Sequence, residues 1–277
     1  MIKDTFFSPS RFMNLCRREM VENWKSGVLR VAMMYGVMAI TFVWNGYYTY
    51  RRFTSPHAVE HPDLDPAWPF VLHAFVVFFV IFGLLAASFT MEKMKTKTGR
   101  LRVLMTPATP FEKFFSSWLL STLVYVVVFL IVFRLADYTR VLIYMVSYPD
   151  FKVVAPVDFG WLVDKEYRIS VFKTTNGMLD AICAYLFFQS CFVLGSAVWP
   201  KNSFIKTVAT GVTITIVYGL IVAGVAQLAF PEHFHYHPGI SDETIGHIAA
   251  LIALCFALMN WVLAYFRFKE SEIINRM

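Results

Sequence analysis

Leu123-Val-Tyr-Val-Val-Val-Phe-Leu-Ile-Val-Phe133 carries one hydroxyl and no charge, and the absence of charge extends back to Phe114. About 20 such residues form a helix long enough to cross the hydrocarbon core of a bilayer. A membrane β-strand would alternate polar and apolar side chains, and this run does not. Five further runs read the same way, at about 28–48, 69–89, 179–199, 204–228 and 245–266. With 114–133 they give six spans. The expected class is an all-α integral membrane protein with six transmembrane helices. Arg30 near the start of the first run is tolerated because a long side chain can reach back to the interface.

The composition agrees. Of 277 residues, 57% are hydrophobic and 16% charged, against about 45–50% and about 25% in a soluble domain. The surplus excludes an intrinsically disordered chain, a disulfide scaffold and a collagen-like repeat. The net charge of +6 is explained by where the cations lie rather than by nucleic acid, which is not an expected partner. The N-terminal segment, residues 91–113, residues 200–206 and the C-terminal tail together hold 17 of the basic residues and 7 of the acidic ones. The remaining segments hold 8 basic and 12 acidic. By the positive-inside rule the first set faces the cytoplasm. Both termini are therefore expected to be cytoplasmic, in the inner membrane of a bacterium.

Residues 1–27 form a cytoplasmic amphipathic segment ahead of the membrane domain, 28–277. Phe12, Leu15, Cys16, Met20 and Val21 recur at helical spacing among Arg11, Arg17, Arg18 and Lys25. This pattern predicts an interfacial helix with its apolar face in the membrane and its cations toward anionic headgroups, so that lipid is a partner. Ser8-Pro9-Ser10 supplies its start, with either serine as cap. On the other side, 49–68 is short and acidic, while 134–178 is a large outer insert that either continues the third helix or lies along the interface. After Pro149 and Pro156 the insert reads as irregular, with room for one short strand. Cys16, Cys183, Cys191 and Cys255 form no CxxC pair and read as packing residues.

The loop between the second and third spans is long, cationic and ordered. In Thr109-Pro110-Phe111-Glu112, Thr109 is an N-cap, Pro110 takes the first helical position and Glu112 completes a capping box. A short helix ahead of it would offer a mixed surface to a cytoplasmic partner. Met105-Thr-Pro-Ala-Thr-Pro-Phe-Glu-Lys-Phe114 resembles the "LPAS-x-x-EKF" segment of ABC-2 type transporter permeases, particularly those of Bacteroidetes. Arg17-Arg18-Glu19, Glu22-Asn23-Trp24, the six spans and the Tyr265-Phe-Arg-Phe-Lys269 tail are also similar. The chain departs from the pattern at Met105-Thr106 and in its enlarged outer insert.

The resemblance implies a permease subunit of an ABC exporter. In that family this loop carries the coupling helix that docks on the ATPase, a role that falls here on Glu92, Lys93, Lys95, Lys97, Arg100 and Arg102, with Glu112 and Lys113. The chain has no G-x-x-x-x-G-K-[ST] sequence, so ATP and Mg would belong to a separate ATPase subunit and this chain is not expected to be an enzyme or to hold a cofactor. A second permease copy, identical or related, is the other implied partner. A different reading makes the chain a non-transporting scaffold or assembly factor that binds a periplasmic partner through 134–178. A secondary carrier is disfavoured, since no internal repeat and no pair of carboxylates is legible within the spans. Glu232-His-Phe-His235 has the wrong order for HExxH, and Ser196 lacks a serine-protease context. His233, His235 and His237 alternate and form a weak candidate metal site; otherwise they are loop histidines.

Overall fold

A computed structural model describes residues 6–53, 64–149, 153–163, 169–229 and 241–273. Nine α-helices occur among them: α1 Pro9–Glu22, α2 Trp24–Phe53, α3 Trp68–Ser88, α4 Lys97–Leu104, α5 Pro110–Leu119, α6 Tyr125–Ser147, α7 Thr175–Val198, α8 Ser203–Ala229 and α9 Asp242–Ile273. A 3-10 turn at Glu92–Lys95 precedes α4, a π turn at Leu120–Val124 joins α5 to α6, and a second 3-10 turn spans Phe159–Leu162. The one β feature among the described residues is an isolated bridge between Val163 and Phe172. Six helical segments are long and apolar enough to cross a membrane: α2, α3, α5 with α6, α7, α8 and α9. The protein is an all-α, multi-pass membrane protein.

The spacing of exposed aromatics on α2 shows how it fits a bilayer. Trp24 is exposed at one end, and Trp44, Tyr47 and Tyr48 are exposed toward the other. At 1.5 Å per residue the two groups lie about 30–36 Å apart, which matches the distance between the two aromatic belts of a hydrocarbon core about 30 Å thick.

The third span takes the first of the two courses that the sequence left open for the start of the outer insert, continuing as helix. The apolar run ends at Arg134, but the helix continues to Ser147, making Pro110–Ser147 a helical segment of 38 residues. The reason is a reversed amphipathic pattern. Asp137, Arg140, Val141 and Tyr144 recur on one face and are buried, while Leu135, Tyr138, Leu142 and Met145 on other faces are exposed. Charges point into the protein and apolar side chains point out, so the first charged residue does not end the helix.

The chain folds as two units, one made of residues 1–83 and 119–179, the other of 84–118 and 180–277. In the first, α2 packs on α6 where Gly46 lets the Tyr144 ring lie directly on the α2 backbone, and the Tyr144 hydroxyl donates to the carbonyl of Val43. The Tyr35 and Thr139 hydroxyls share a hydrogen bond of 2.9 Å. Phe75 joins α3 to α6 through Phe133, with centroids 4.9 Å apart, and Phe42 of α2 meets the same ring at 5.4 Å. In the second unit, Ala87, Met91, Met94, Phe114, Phe192, Val193, Ala264 and Phe268 form the buried core. α7 and α9 are joined across their middles by polar side chains: Asn260 Nδ2 donates to Ser190 Oγ (3.1 Å) and Trp261 Nε1 donates to Gln189 Oε1 (3.2 Å).

Candidate functional site

The loop between the second and third spans folds onto the second unit from its own short-range chemistry. Thr90 Oγ1 donates to the carbonyl of Ala87 (2.7 Å), turning the chain out of α3. The 3-10 turn that follows buries Met94, and Met91 just ahead of it is buried too. These two methionines anchor the segment in the apolar core. Thr96 is the N-cap of α4, its hydroxyl accepting from the Gly99 N–H (3.1 Å). Gly99 is required there, because a Cβ would collide with the Lys93 carbonyl. Arg100 Nε donates to the Met94 carbonyl (2.8 Å), tying α4 back to the turn.

The next helix starts as its residues dictate. The Thr109 N–H donates to Glu112 Oε2 (3.1 Å) and the Glu112 N–H donates to Thr109 Oγ1 (3.3 Å), a reciprocal capping box. Glu112 is completely buried and Lys113 nearly so. The eight residues that the family resemblance marks for coupling therefore separate into three groups. Lys95, Lys97 and Arg102 are exposed, Glu92, Lys93 and Arg100 are half-buried, and Glu112 and Lys113 are inside the fold. Lys97 and Arg102 share α4 and the residue after it with two exposed apolar side chains, Leu101 (58%) and Met105 (83%), and Lys95 ends the 3-10 turn just ahead. Lys97, Leu101 and Met105 stand four residues apart and so form one ridge. The ridge was legible in the sequence as this i, i+4 spacing, but its apolar members were masked by the charges around them.

A second constellation was not anticipated. In the first unit, Tyr50 at the end of α2, Asp65 ahead of α3, and Asp137 and Arg140 on α6 form a buried ionic cluster. Arg140 Nη1 donates to Asp65 Oδ2 (2.8 Å) and to the Tyr50 hydroxyl, and its Nε donates to Asp137 Oδ1 (2.9 Å). The Tyr50 proton is shared by the two Asp65 oxygens at 2.7 and 2.8 Å. Both ion pairs are fully shielded from solvent. Each carboxylate pairs with Arg140 rather than with the other, and both Asp65 and Asp137 lie outside the six apolar runs of the sequence.

The cluster also grips an extended stretch of the outer insert. The Ala155 N–H donates to Asp65 Oδ2 (3.1 Å), and the Ala155 carbonyl accepts from Arg140 Nη2 (2.9 Å) and from Trp68 Nε1 (3.1 Å). The Val157 N–H donates to Asp137 Oδ2 (2.7 Å), and its carbonyl accepts from Arg134 Nη1. The Arg134 guanidinium lies 4.0 Å from the centre of the Phe159 ring. Every polar backbone group of Ala155 and Val157 is thus held by a side chain. All donors and acceptors here are matched, so the arrangement is a clamp on residues 153–158 rather than a reactive centre.

Segments grouped by charge in the sequence meet in space. Asp65 of the acidic loop and Ala155 of the insert come together in the first unit, while Met91, Met94, Phe114 and Phe268 come together in the second. At the far ends of α7 and α9, His247 Nδ1 lies 3.1 Å from Asp180 Oδ1, both partly exposed. His233, His235 and His237 lie outside the described residues, as do His57 and His61, and so does the stretch before α9 from Phe230 to Ile240. Among the described residues no three His, Cys, Asp or Glu side chains group to hold a metal. All four cysteines are free.

Compared with family models, characterised proteins and solved structures, the chain has no match in any of the three.

Proposed function

We propose that this chain is the membrane subunit of an ATP-driven exporter in a bacterial inner membrane, moved by a separate ATPase that presses on the 91–113 segment. The supporting observation is α4. It is a short helix capped at its start by Thr96 and anchored by Met91 and Met94. It presents Lys97, Arg102, Leu101 and Met105 outward. A loop that served only to retain positive charge in the cytoplasm would not need a cap, a glycine packed on a carbonyl and two buried anchors. An apolar ridge flanked by cations suits a protein groove with an acidic rim, where apolar burial supplies affinity and charge sets register. Because Glu112 and Lys113 are inside the fold, their part is to hold the start of α5 in place. ATP and Mg belong to the partner, and a second permease copy completes the transport route.

The test is capture. A tagged chain solubilised mildly from its native membrane, with a non-hydrolysable ATP analogue present, should retain an ATP-hydrolysing subunit. The K95E/K97E/R102E triple variant should release it while keeping the thermal midpoint of the wild type, since all three side chains are exposed. A wild-type chain that retains no ATPase, or a triple variant that retains it fully, overturns the reading.

A second reading, a scaffold that binds a periplasmic partner through 134–178, draws on the clamp that orders 153–158 and on the exposed Leu142, Met145 and Val146 of α6. It predicts the reverse pattern: charge reversal on α4 is tolerated, and loss of the outer insert abolishes function.

A further inference from the structure

Helix α1 has three faces rather than the two of a simple amphipathic helix. Each residue turns the helix by about 100°, which places Leu15, Glu19, Phe12 and Cys16 along one arc. Leu15, Cys16 and Glu19 there are buried in the protein. Asn14, Arg18, Arg11 and Glu22 fall along a second, polar arc, where Arg18 Nε pairs with Glu22 Oε1 at 2.7 Å. The third arc carries Met20, Met13 and Val21, exposed at 52%, 68% and 63%, with exposed Arg17 among them. The sequence reading put Leu15 and Cys16 in the membrane. The structure turns those two inward and leaves Met13, Met20 and Val21 uncovered.

The chain has no length to carry this face away from the bilayer. One residue, Asn23, separates α1 from α2. Its N–H and its Nδ2 both donate to the Glu19 carbonyl, at 3.2 and 3.1 Å, and its own carbonyl accepts from Gly27 N–H at 2.8 Å. The joint is therefore a defined turn. The next two residues, Trp24 and Lys25, are exposed, and Trp24 stands at one of the two aromatic levels of α2. Residues 6–30 carry five cations, Arg11, Arg17, Arg18, Lys25 and Arg30, against Glu19 and Glu22.

We infer that the third face of α1 docks on the anionic headgroup layer of the leaflet marked by Trp24, the cytoplasmic one by charge distribution. Met13, Met20 and Val21 enter the boundary of the acyl chains, and Arg17 and Lys25 engage lipid phosphates. The side chains fit this occupant. Met13, Met20 and Val21 flank Arg17 on this face and supply the burial, while Arg17 reaches past them on its long stem to the headgroups and, with Lys25, supplies the preference for anionic lipid. This holds whether or not the chain is an exporter.

Hydrogen exchange on the full chain in nanodiscs tests it. In phosphatidylcholine mixed with phosphatidylglycerol, the amides of residues 9–22 should exchange more slowly than in phosphatidylcholine alone. The double variant R17Q/K25Q should lose most of that difference, about thirtyfold for two cations near an anionic surface. R17K should restore its share, and added salt should weaken the protection. Unchanged exchange in α6 serves as the check that each variant is folded. Equal exchange of α1 in the two lipids, or a lipid effect that R17Q/K25Q leaves intact, overturns the inference and leaves a protein partner as the cover for this face.

Discussion

Replacing Arg140 by Gln tests the clamp most directly. The substitution removes the charge that faces both Asp65 and Asp137 and strands two carboxylates in a site with no solvent exposure. It also takes a donor from the Ala155 carbonyl. Breaking a buried ion pair from one side costs about 3–5 kcal/mol, because an uncompensated charge stays buried. At roughly 2–4 °C per kcal/mol for a chain of this size, R140Q should lower the thermal midpoint by about 6–20 °C. Two reporters are already in place: Trp68 donates to the Ala155 carbonyl, and its ring centroid lies 6.2 Å from that of Trp161. The tryptophan spectrum should shift red as 153–158 comes away, and proteinase K should cut within that stretch. The same variant also offers an internal check. D65N keeps the shape of the acceptor and removes one stranded charge, so R140Q/D65N should be less destabilised than the two single losses added together, by 1 kcal/mol or more. A midpoint for R140Q within 2 °C of wild type, or strictly additive losses in the double variant, would refute the account of these residues as one coupled unit.

Gly46→Ala should cost about 1–3 kcal/mol by overpacking, since its new Cβ would meet the Tyr144 ring; in a Tyr144→Ala background, thermal unfolding should show no further loss. Thr109→Ala removes the acceptor for the Glu112 N–H and should cost about 1 kcal/mol, read as a lower midpoint, whereas Thr109→Ser should be nearly neutral. Asn260→Ala deletes the bond to Ser190 between α7 and α9 and should cost only about 0.6 kcal/mol, the average for such bonds in a membrane bundle. A much larger loss measured by the same melt would show that Asn260 does more than join two helices.

What was legible in the sequence follows from the range over which each signal acts. The spans were readable because a bilayer imposes one requirement on about 20 consecutive residues at once, and every residue from Phe114 to Phe133 meets it. The Thr109–Glu112 box was readable because both partners lie within one turn and each satisfies the backbone N–H of the other. The clamp was not. Its members are Tyr50, Asp65, Arg140 and the backbone of Ala155, brought together across up to 90 positions, and no local rule links an aspartate in one loop to an arginine two spans later. For Arg134, Asp137 and Arg140 the sequence leaves two courses open, a continuation of the third helix or a segment along the interface, and neither says which way the charges face. A signal was nonetheless present. Arg134, Asp137 and Arg140 repeat every third residue while Leu135, Tyr138 and Leu142 lie on the other faces, and opposite charges at helical spacing next to an exposed apolar stripe indicate a helix that pairs its charges inward. The same distinction applies to α1, where periodicity identified an amphipathic helix but could not say which apolar residues the protein itself would cover. Leu15 and Met20 look alike in sequence. Only the packing separates the residue that belongs to the core from the one left to face lipid, and that separation is why the lipid contact can be assigned to Met13, Met20 and Val21 and tested through Arg17 and Lys25.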